Sequence, residues 1–276
     1  MFSPYDRLDD LPRIFIGYDK KERVSWHVLA HSIIERSSRP VSITAIGNDT
    51  LGPEIWEREK GENDSTDFSN ARWMIPHLCN YQGFAIFMDC DMVCNADIAE
   101  LWDQRDQRKA LVCKKHSQEV VHGEKKFLGS IQAAYDRKNW SSLMVISCDH
   151  PYWETINPES DHGLDLHRFV GLEDNQIGSI YGSWNHLLKP GKVNPQEYNS
   201  CLSHFTWGGP WHGWTKYWET ELWTRELSDM LGGDNPCAHI NVGYDERGVY
   251  IGGAYHVRIE DAQAEAEKEA GIRTKH

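Results

Sequence analysis

The chain has 276 residues, of which 39% are hydrophobic and 26% charged, a composition typical of a globular protein with a substantial core. Its 29 basic and 42 acidic residues give a net charge of -13, spread along the chain, which argues against nucleic acid or an anionic membrane as a partner. No apolar run approaches the ~20 residues of a transmembrane helix and the first residues are not a signal peptide, so we expect a cytoplasmic protein. Seven cysteines without Cys-x-x-Cys spacing predict reduced thiols.

Predicted strands and helices alternate along the first half of the chain. Short apolar runs predict strands, and apolar residues at helical spacing predict helices. In chain order these are a strand at 13–17, a helix at 20–36, a strand at 41–46, a surface connection at 47–64, a helix at 68–80 capped by 65–67, and a strand that starts at residue 84. Such alternation favours an α/β protein with a mostly parallel, doubly wound central sheet flanked by helices.

The second half of the chain is less regular. The predicted elements are strands at 110–113 and 143–146, short helices within 151–168, a short strand at 203–206, a helix at 215–231, and a strand pair at 249–251 and 254–257. The basic stretch 114–126 fits either an active-site loop or an exposed one. We expect one main domain at 1–231 and a small C-terminal extension at 232–276.

Tryptophans are concentrated late in the sequence, where they can serve as core residues or as surfaces that stack on sugars. Trp214, Trp218 and Trp223 follow a helical spacing, so we expect them in the core. For Trp207 and Trp211 both interpretations stay open.

The strand that starts at Phe84 ends in two carboxylates, Asp89 and Asp91. In extended backbone, residues two apart project to the same side, so both carboxylates can converge on one cation. Ligands of open α/β sheets bind just beyond the carboxyl ends of the strands, and carboxylate oxygens are the ligands that Mg²⁺ and Mn²⁺ prefer. Taken alone, the Asp-x-Asp motif fits a solvated turn as well as a site for Mn²⁺ or Mg²⁺.

Several segments together carry a family resemblance. They are a helix with an arginine at 70–76, the apolar strand with Asp-x-Asp at 85–93, a Leu-Trp helix at 97–103, a short turn and strand at 140–146, and a His-Phe-Thr-x-Gly-Gly-Pro-Trp turn at 204–211. In this order they resemble glycosyltransferase family 8, the glycogenin and bacterial galactosyltransferase group. The resemblance covers about residues 13 to 215 and implies the GT-A fold, which is Rossmann-like.

The family resemblance also implies an activity and a metal site. It implies a hexosyltransferase that takes a sugar from a nucleotide diphosphate, usually a UDP-sugar, with Mn²⁺ or Mg²⁺ bridging the phosphates and retention of anomeric configuration. By this analogy Asp91 and His204 bind the metal, and Asp89 binds both the metal and the donor ribose. The acceptor stays open between a glycan, a lipid-linked sugar, a protein and a small molecule.

Further residues of the predicted site are carried over from the same motifs. The donor-binding residues are Tyr18 near the uracil, Arg72 at the donor sugar or phosphates, Asn139 and Gly208. The predicted catalytic residues are Asp174, which would orient the donor or stabilise an oxocarbenium-like centre, and Gln176.

Two departures from the family pattern bear on the function. The lysine that binds the diphosphate in the family is Gly209 here, so another cation, such as Lys114, Lys115 or Lys216, would have to replace it. The family's Asn-Ala-Gly asparagine falls on Trp140, one place after Asn139. Two alternatives to a transferase therefore stay open, a metal-dependent hydrolase of nucleotide-sugars and a non-catalytic nucleotide- or sugar-binding protein of the same fold.

Overall fold

The computed structural model describes residues 11–61, 64–116, 137–188, 200–212, 220–232, 242–244 and 250–253. Its strands are β1 Arg13–Gly17, β2 Ser42–Ile46, β3 Phe84–Met88, β4 Met92–Cys94, β5 Leu111–Cys113, β6 Leu143–Ser147, β7 Ile177–Ser179, β8 His186–Leu187, β9 Leu202–His204, β10 Val242–Tyr244 and β11 Tyr250–Gly253. Its α-helices are α1 Arg23–Arg36, α2 Ile75–Leu78, α3 Ile98–Trp102, α4 Gly163–His167 and α5 Thr220–Met230.

A six-stranded sheet in the order β2-β1-β3-β6-β5-β7 forms the centre of the fold. All its strands run in the same direction except β6, which pairs antiparallel with both β3 and β5. The predicted α/β class with a mostly parallel central sheet flanked by helices is therefore confirmed. Strands β3 and β6 are buried almost throughout, as their continuous apolar sequences require.

A second sheet of three short strands, in the order β4-β9-β8, lies beyond the carboxyl end of β3. Strand β4 follows β3 after only three residues and pairs antiparallel with β9. Strands β4, β7 and β8 were not predicted from the sequence; each has only two or three residues, so hydrophobic periodicity is a weak signal for them. Strand β9 was predicted at 203–206 and lies one to two residues earlier.

The predicted helix at 68–80 is not continuous. The structure has a 3-10 turn at Ala71–Met74 followed by the single-turn helix α2, and the Asn70 side chain makes no capping hydrogen bond. Pro76 explains the break, since proline has no amide hydrogen to donate and fits only in the first turn of a helix. Asn80 and Tyr81 then adopt left-handed backbone conformations that end the segment.

The C-terminal strand pair differs from the predicted one. Strand β10 pairs antiparallel with β11, so the pair begins earlier in the chain than expected. Residues 254–257, predicted as its second strand, lie outside the described residues. Trp214 and Trp218, predicted as core residues, also lie outside the described residues. The cysteines within the described ranges are free thiols, as predicted.

A smaller second core joins α5 to the sheet. It contains Val28 of α1, Val93 of β4, Phe205, Trp211 and Trp223. The rings of Trp211 and Trp223 lie 5.2 Å apart, and both are buried. Trp223 is thus a core residue, as its spacing predicted, and Trp211 is also packed in the core. No described helix has the length and apolar composition needed to cross a bilayer.

A buried carboxylate also holds α5 against α1. Glu226, which is 3% exposed, lies 2.6 Å from Arg36 Nη2 and 2.7 Å from His31 Nδ1. Because the carboxylate is buried and both partners belong to α1, this group fixes the position of α5 along α1.

We expect Glu226→Ala to lower the free energy of unfolding by about 2 kcal/mol, less than the ~3–5 kcal/mol for a fully buried pair because Arg36 and His31 are partly exposed. Chemical denaturation monitored by circular dichroism measures the effect. Glu221→Ala, an exposed position in the same helix, serves as the matched control and should change stability by less than about 0.5 kcal/mol. Equal effects of the two substitutions would contradict this account of α5 docking.

Candidate metal centre

The site lies where β3 ends and β4 begins. The Asp89 amide donates to the Ser142 carbonyl (2.9 Å), and the Phe205 amide donates to the Asp91 carbonyl (2.8 Å). Pairing of β4 with β9 places Met92 opposite His204. Asp89, Asp91 and His204 are therefore brought together by backbone hydrogen bonds from two sheets.

The side chains of Asp89, Asp91 and His204 offer ligand atoms that all lie within 4.8 Å of one another. Nε2 of His204 is 3.1 Å from Oδ1 of Asp91, and the two carboxylates are partly exposed while the imidazole is buried. This donor set fits a divalent cation that keeps further coordination positions for phosphate or water. The three residues predicted as metal ligands are thus brought together, and their role as ligands stays a prediction.

A chain of hydrogen bonds sets the tautomer of His204. The Ser142 hydroxyl donates to the Asn139 carbonyl (2.7 Å), so its oxygen is left to accept from Nδ2 of Asn185 (2.9 Å). This orients the Asn185 amide oxygen toward Nδ1 of His204 at 2.7 Å. Because an amide oxygen only accepts, Nδ1 donates the hydrogen of this bond, and Nε2 is the ring nitrogen that faces Asp91.

The buried side chain of Arg72 fixes the carboxylate of Asp89. Its Nη1 donates to Oδ1 of Asp89 and to the Ser141 carbonyl, both at 2.9 Å, and its guanidinium lies 4.6 Å from the centre of the Phe87 ring. Only 4% of Arg72 is exposed. The buried guanidinium therefore fixes the Asp89 carboxylate, and direct contact between Arg72 and a donor stays a prediction.

His167 contacts the Ser141 segment to which Arg72 donates. Nδ1 of His167 is 2.7 Å from the Ser141 hydroxyl, and its ring packs edge-on against Trp73. Burial, followed by the positive charge of Arg72, lowers the pKa of His167 to about 3. The imidazole is therefore neutral at pH 7 and can support the Ser141 segment that accepts from Arg72.

The other predicted donor residues lie along the same edge of the sheet. Tyr18 follows β1 and donates its amide to the Ile46 carbonyl (2.7 Å), and its ring meets that of Trp26 edge-on. Asn139, with φ of 62°, precedes the turn that enters β6. Gly208, with φ of 104°, lies in the turn after β9, where its amide donates to the Phe205 carbonyl.

The structure does not bring Asp174 and Gln176 to this centre. They form a 3-10 turn that leads directly into β7, which is parallel to β5, so they lie at the amino edge of the sheet. The Asp174 side chain is 82% exposed and lies 2.7 Å from Arg137, and Gln176 accepts from the Glu173 amide. The catalytic roles of Asp174 and Gln176 stay a prediction from the resemblance.

The absence of the family lysine has a structural cause. A side chain at Gly209 would collide with the ring of Trp211, which is packed in the second core. Of the cations suggested as replacements, Lys114 and Lys115 lie at the carboxyl end of β5, and Lys216 lies outside the described residues.

Three buried or half-buried groups of this region were missed from the sequence: Ser142, Asn185 and His116. Asn185 joins the segment before β8 to the turn before β6, a contact between distant parts of the chain with no local signature. His116 belongs to the basic stretch that the sequence left open between two interpretations.

Comparison with solved structures shows the fold of the protein. It shares the fold of the WbbM bifunctional glycosyltransferase, with a TM-score of 0.55 and 13% identity over 85% of this chain and 51% of that one. This chain thus spans about half the length of WbbM. The galactosyltransferase LgtC, solved with donor and acceptor sugar analogues, has a TM-score of 0.49 and 13% identity, covering 79% of this chain and 95% of that one. The protein has a glycosyltransferase GT-A fold, as the resemblance to family 8 implied.

Sequence comparison then gives the family. Protein CDI of Arabidopsis thaliana is 41% identical over 225 residues, which cover 79% of this chain and 86% of that protein. The chain belongs to the same family as protein CDI. No family model matches it.

We expect Asn185→Ala to weaken Mn²⁺ binding about 10- to 100-fold, because His204 would lose the partner that fixes its tautomer and ring orientation. Titration calorimetry with Mn²⁺ measures the affinity, and thermal unfolding measures the accompanying loss of stability. Asn175→Ala, at an exposed position, is the control. Unchanged Mn²⁺ affinity in a folded Asn185→Ala protein would show that Asn185 has only a structural role.

The lowered pKa of His167 predicts a pH dependence of stability. In the unfolded chain His167 binds a proton below about pH 6.5, whereas in the folded chain it does so only near pH 3. The free energy of unfolding therefore falls as pH decreases between these two values, by up to ~1.4 kcal/mol per pH unit. His167→Gln should make the free energy of unfolding fall less steeply between pH 6 and pH 4. Ser141→Ala, which keeps the imidazole, should lower stability and retain the slope. The opposite pattern would contradict the assignment.

Proposed function

We propose that the protein is a metal-dependent glycosyltransferase, which moves a sugar from a nucleotide diphosphate donor, a UDP-sugar, to an acceptor with retention of configuration. The observation that carries the proposal is the group of Asp89, Asp91 and His204 at the carboxyl edge of a GT-A sheet. The orientation of His204 supports it, because Asn185 holds Nδ1 and Nε2 faces Asp91.

Each part of the site has a task in this proposal. Asp89, Asp91 and His204 would hold Mn²⁺ or Mg²⁺, which stabilises the negative charge that develops on the diphosphate when the anomeric bond breaks. Arg72 keeps the Asp89 carboxylate in place, and Asn185 keeps the His204 ring in place. We further propose that Tyr18 lies against the base, at the ends of β1 and β2, and that Asn139 and Gly208 border the donor.

The extent of the transferase unit is also a proposal. We assign residues 1–231 to it and residues 232–276 to a C-terminal extension. The packing of α5 on α1 through Glu226 and the second core supports including α5 in the unit.

Gly209 favours a second candidate, a protein that binds nucleotide or sugar without turnover. The collision of any side chain there with Trp211 means that this turn cannot supply the family's cation to the diphosphate. Binding of a UDP-sugar with metal, but without product from a panel of acceptors or from water, would favour this candidate. Product formed with water alone would not separate a hydrolase from a transferase, whereas transfer to an acceptor would favour the transferase.

The primary test is calorimetric binding of UDP and GDP with and without Mn²⁺. We expect UDP to bind only with Mn²⁺, and Asp91→Asn to weaken that binding at least 10-fold, since it removes a ligand charge. Asp165→Asn, an exposed acid in α4, is the matched control and should bind as the wild type does. Absence of nucleotide binding under any metal would refute the proposed function.

A further inference from the structure

The order of strands assigns two sides to the metal centre. The metal group lies at the end of β3, with β1 and β2 on one side and β6 and β5 on the other. With the base at the ends of β1 and β2 and the phosphates at the metal, as proposed above, an extended donor would have its sugar on the side of β6 and β5. The residues at the carboxyl end of β5 therefore face the side on which the sugar meets its acceptor.

Strand β5 ends in two lysines that carry no described acidic partner. Nζ of Lys114 donates to the Gly182 carbonyl (2.6 Å), and Nζ of Lys115 donates to the Ile177 carbonyl (2.7 Å). Among the described residues neither ammonium pairs with a carboxylate, although the protein has 42 acidic residues and a net charge of -13. Each ammonium has three donors, so donors are left over for a further oxygen.

The residue that follows adds an unsatisfied buried group. Nε2 of His116 is buried and has no hydrogen-bond partner among the described residues, while its carbonyl accepts from the Trp140 indole (3.3 Å). Burial, helped by the nearby Lys114 ammonium, lowers the pKa of His116 to about 4, so its ring is neutral at pH 7. An unpaired buried nitrogen is costly, which makes His116 a candidate contact for a bound hydroxyl or phosphate.

Trp140, in the turn before β6, lies beside Lys115 and borders the corner formed by residues 114–116. Nζ of Lys115 lies 5.4 Å from the centre of its ring and the Arg137 guanidinium lies 5.9 Å from it. Arg137 also pairs with the exposed Asp174. Because Asp174 neutralises Arg137, the positive charge beside the half-exposed Trp140 ring comes from Lys115, and this combination suits a sugar ring that bears an anionic group.

We propose that Lys114, Lys115 and His116 form an acceptor subsite that binds a sugar bearing a negatively charged group, a phosphate or a carboxylate. The proposal rests on the proposed function, since the metal group defines the donor side. The same anionic chemistry could come from the donor diphosphate, and the experiment separates these two sources.

The test uses galactose 6-phosphate, galacturonic acid and galactose as probes, because the natural acceptor is not needed to measure binding. Calorimetry is carried out on the full chain with Mn²⁺, both without nucleotide and with saturating UDP. We expect the two acidic sugars to bind at least 10-fold more tightly than galactose, with UDP present as well as absent.

The variants are Lys114→Gln and Lys115→Gln, alone and combined. The double substitution should remove the preference for acidic sugars and leave the affinity for UDP with Mn²⁺ within about 2-fold of the wild type. Lys109→Gln is the matched control, since Lys109 precedes β5 and donates to the Asn175 carbonyl, two residues before the Ile177 carbonyl that accepts from Lys115, and is thus a neighbouring ammonium outside the proposed subsite. It should retain the preference.

Three results would overturn the acceptor subsite. Equal affinity of the wild type for acidic and neutral sugars would remove its basis. The same conclusion would follow if Lys109→Gln lost the preference for acidic sugars as fully as the double variant does. Loss of UDP affinity in the double variant, or displacement of the sugar phosphate by UDP, would assign the lysines to the donor diphosphate instead. A wild type that binds no UDP would refute the proposed function, and the sugar measurements without nucleotide would still decide whether the anionic subsite exists.

Discussion

The antiparallel pairing of β4 with β9 is the constraint on which the candidate site depends. It places His204 opposite Met92 and next to Asp91, although the two strands are far apart in the sequence. The Phe205 amide continues the ladder to the Asp91 carbonyl, so both ends of the contact are fixed by backbone hydrogen bonds. Side chains attached to such a ladder have little freedom, which is the condition for preorganised ligands.

A buried polar network reinforces this geometry from below. Ser142, Asn185 and His204 form a chain in which each donor and acceptor has a defined direction, and Arg72 fixes the second carboxylate through its contacts with Asp89 and Ser141. The hydrogen bonds from Arg72 and those from Asn185 both reach the turn before β6, at Ser141 and Ser142 respectively. This turn lies against the end of β3. A change in this turn would therefore reach both the carboxylate and the imidazole of the centre.

The sequence predicted the parts of the fold and site that have a local pattern. Strand β3 is a continuous apolar run and ends in acids, so its position and its Asp-x-Asp motif were visible, and the family resemblance supplied His204. Strands β4, β7 and β8 were missed because two or three residues give only a weak periodicity, and the helix at 68–80 was predicted too long because its apolar spacing outweighed Pro76. Asn185 could not be found because its contacts are set by tertiary structure.

The second core links the C-terminal helix to the metal ligands. Val93 of β4 and Phe205, the residue after His204, pack in the same cluster as Trp211, Trp223 and Leu227. Ordering of the β4-β9 ladder and docking of α5 therefore favour each other, and by thermodynamic reciprocity a cation that binds the ladder also stabilises the docked helix. In this fold, the stability of the docked α5 would therefore report on occupancy of the metal centre, although the helix contributes no ligand to it.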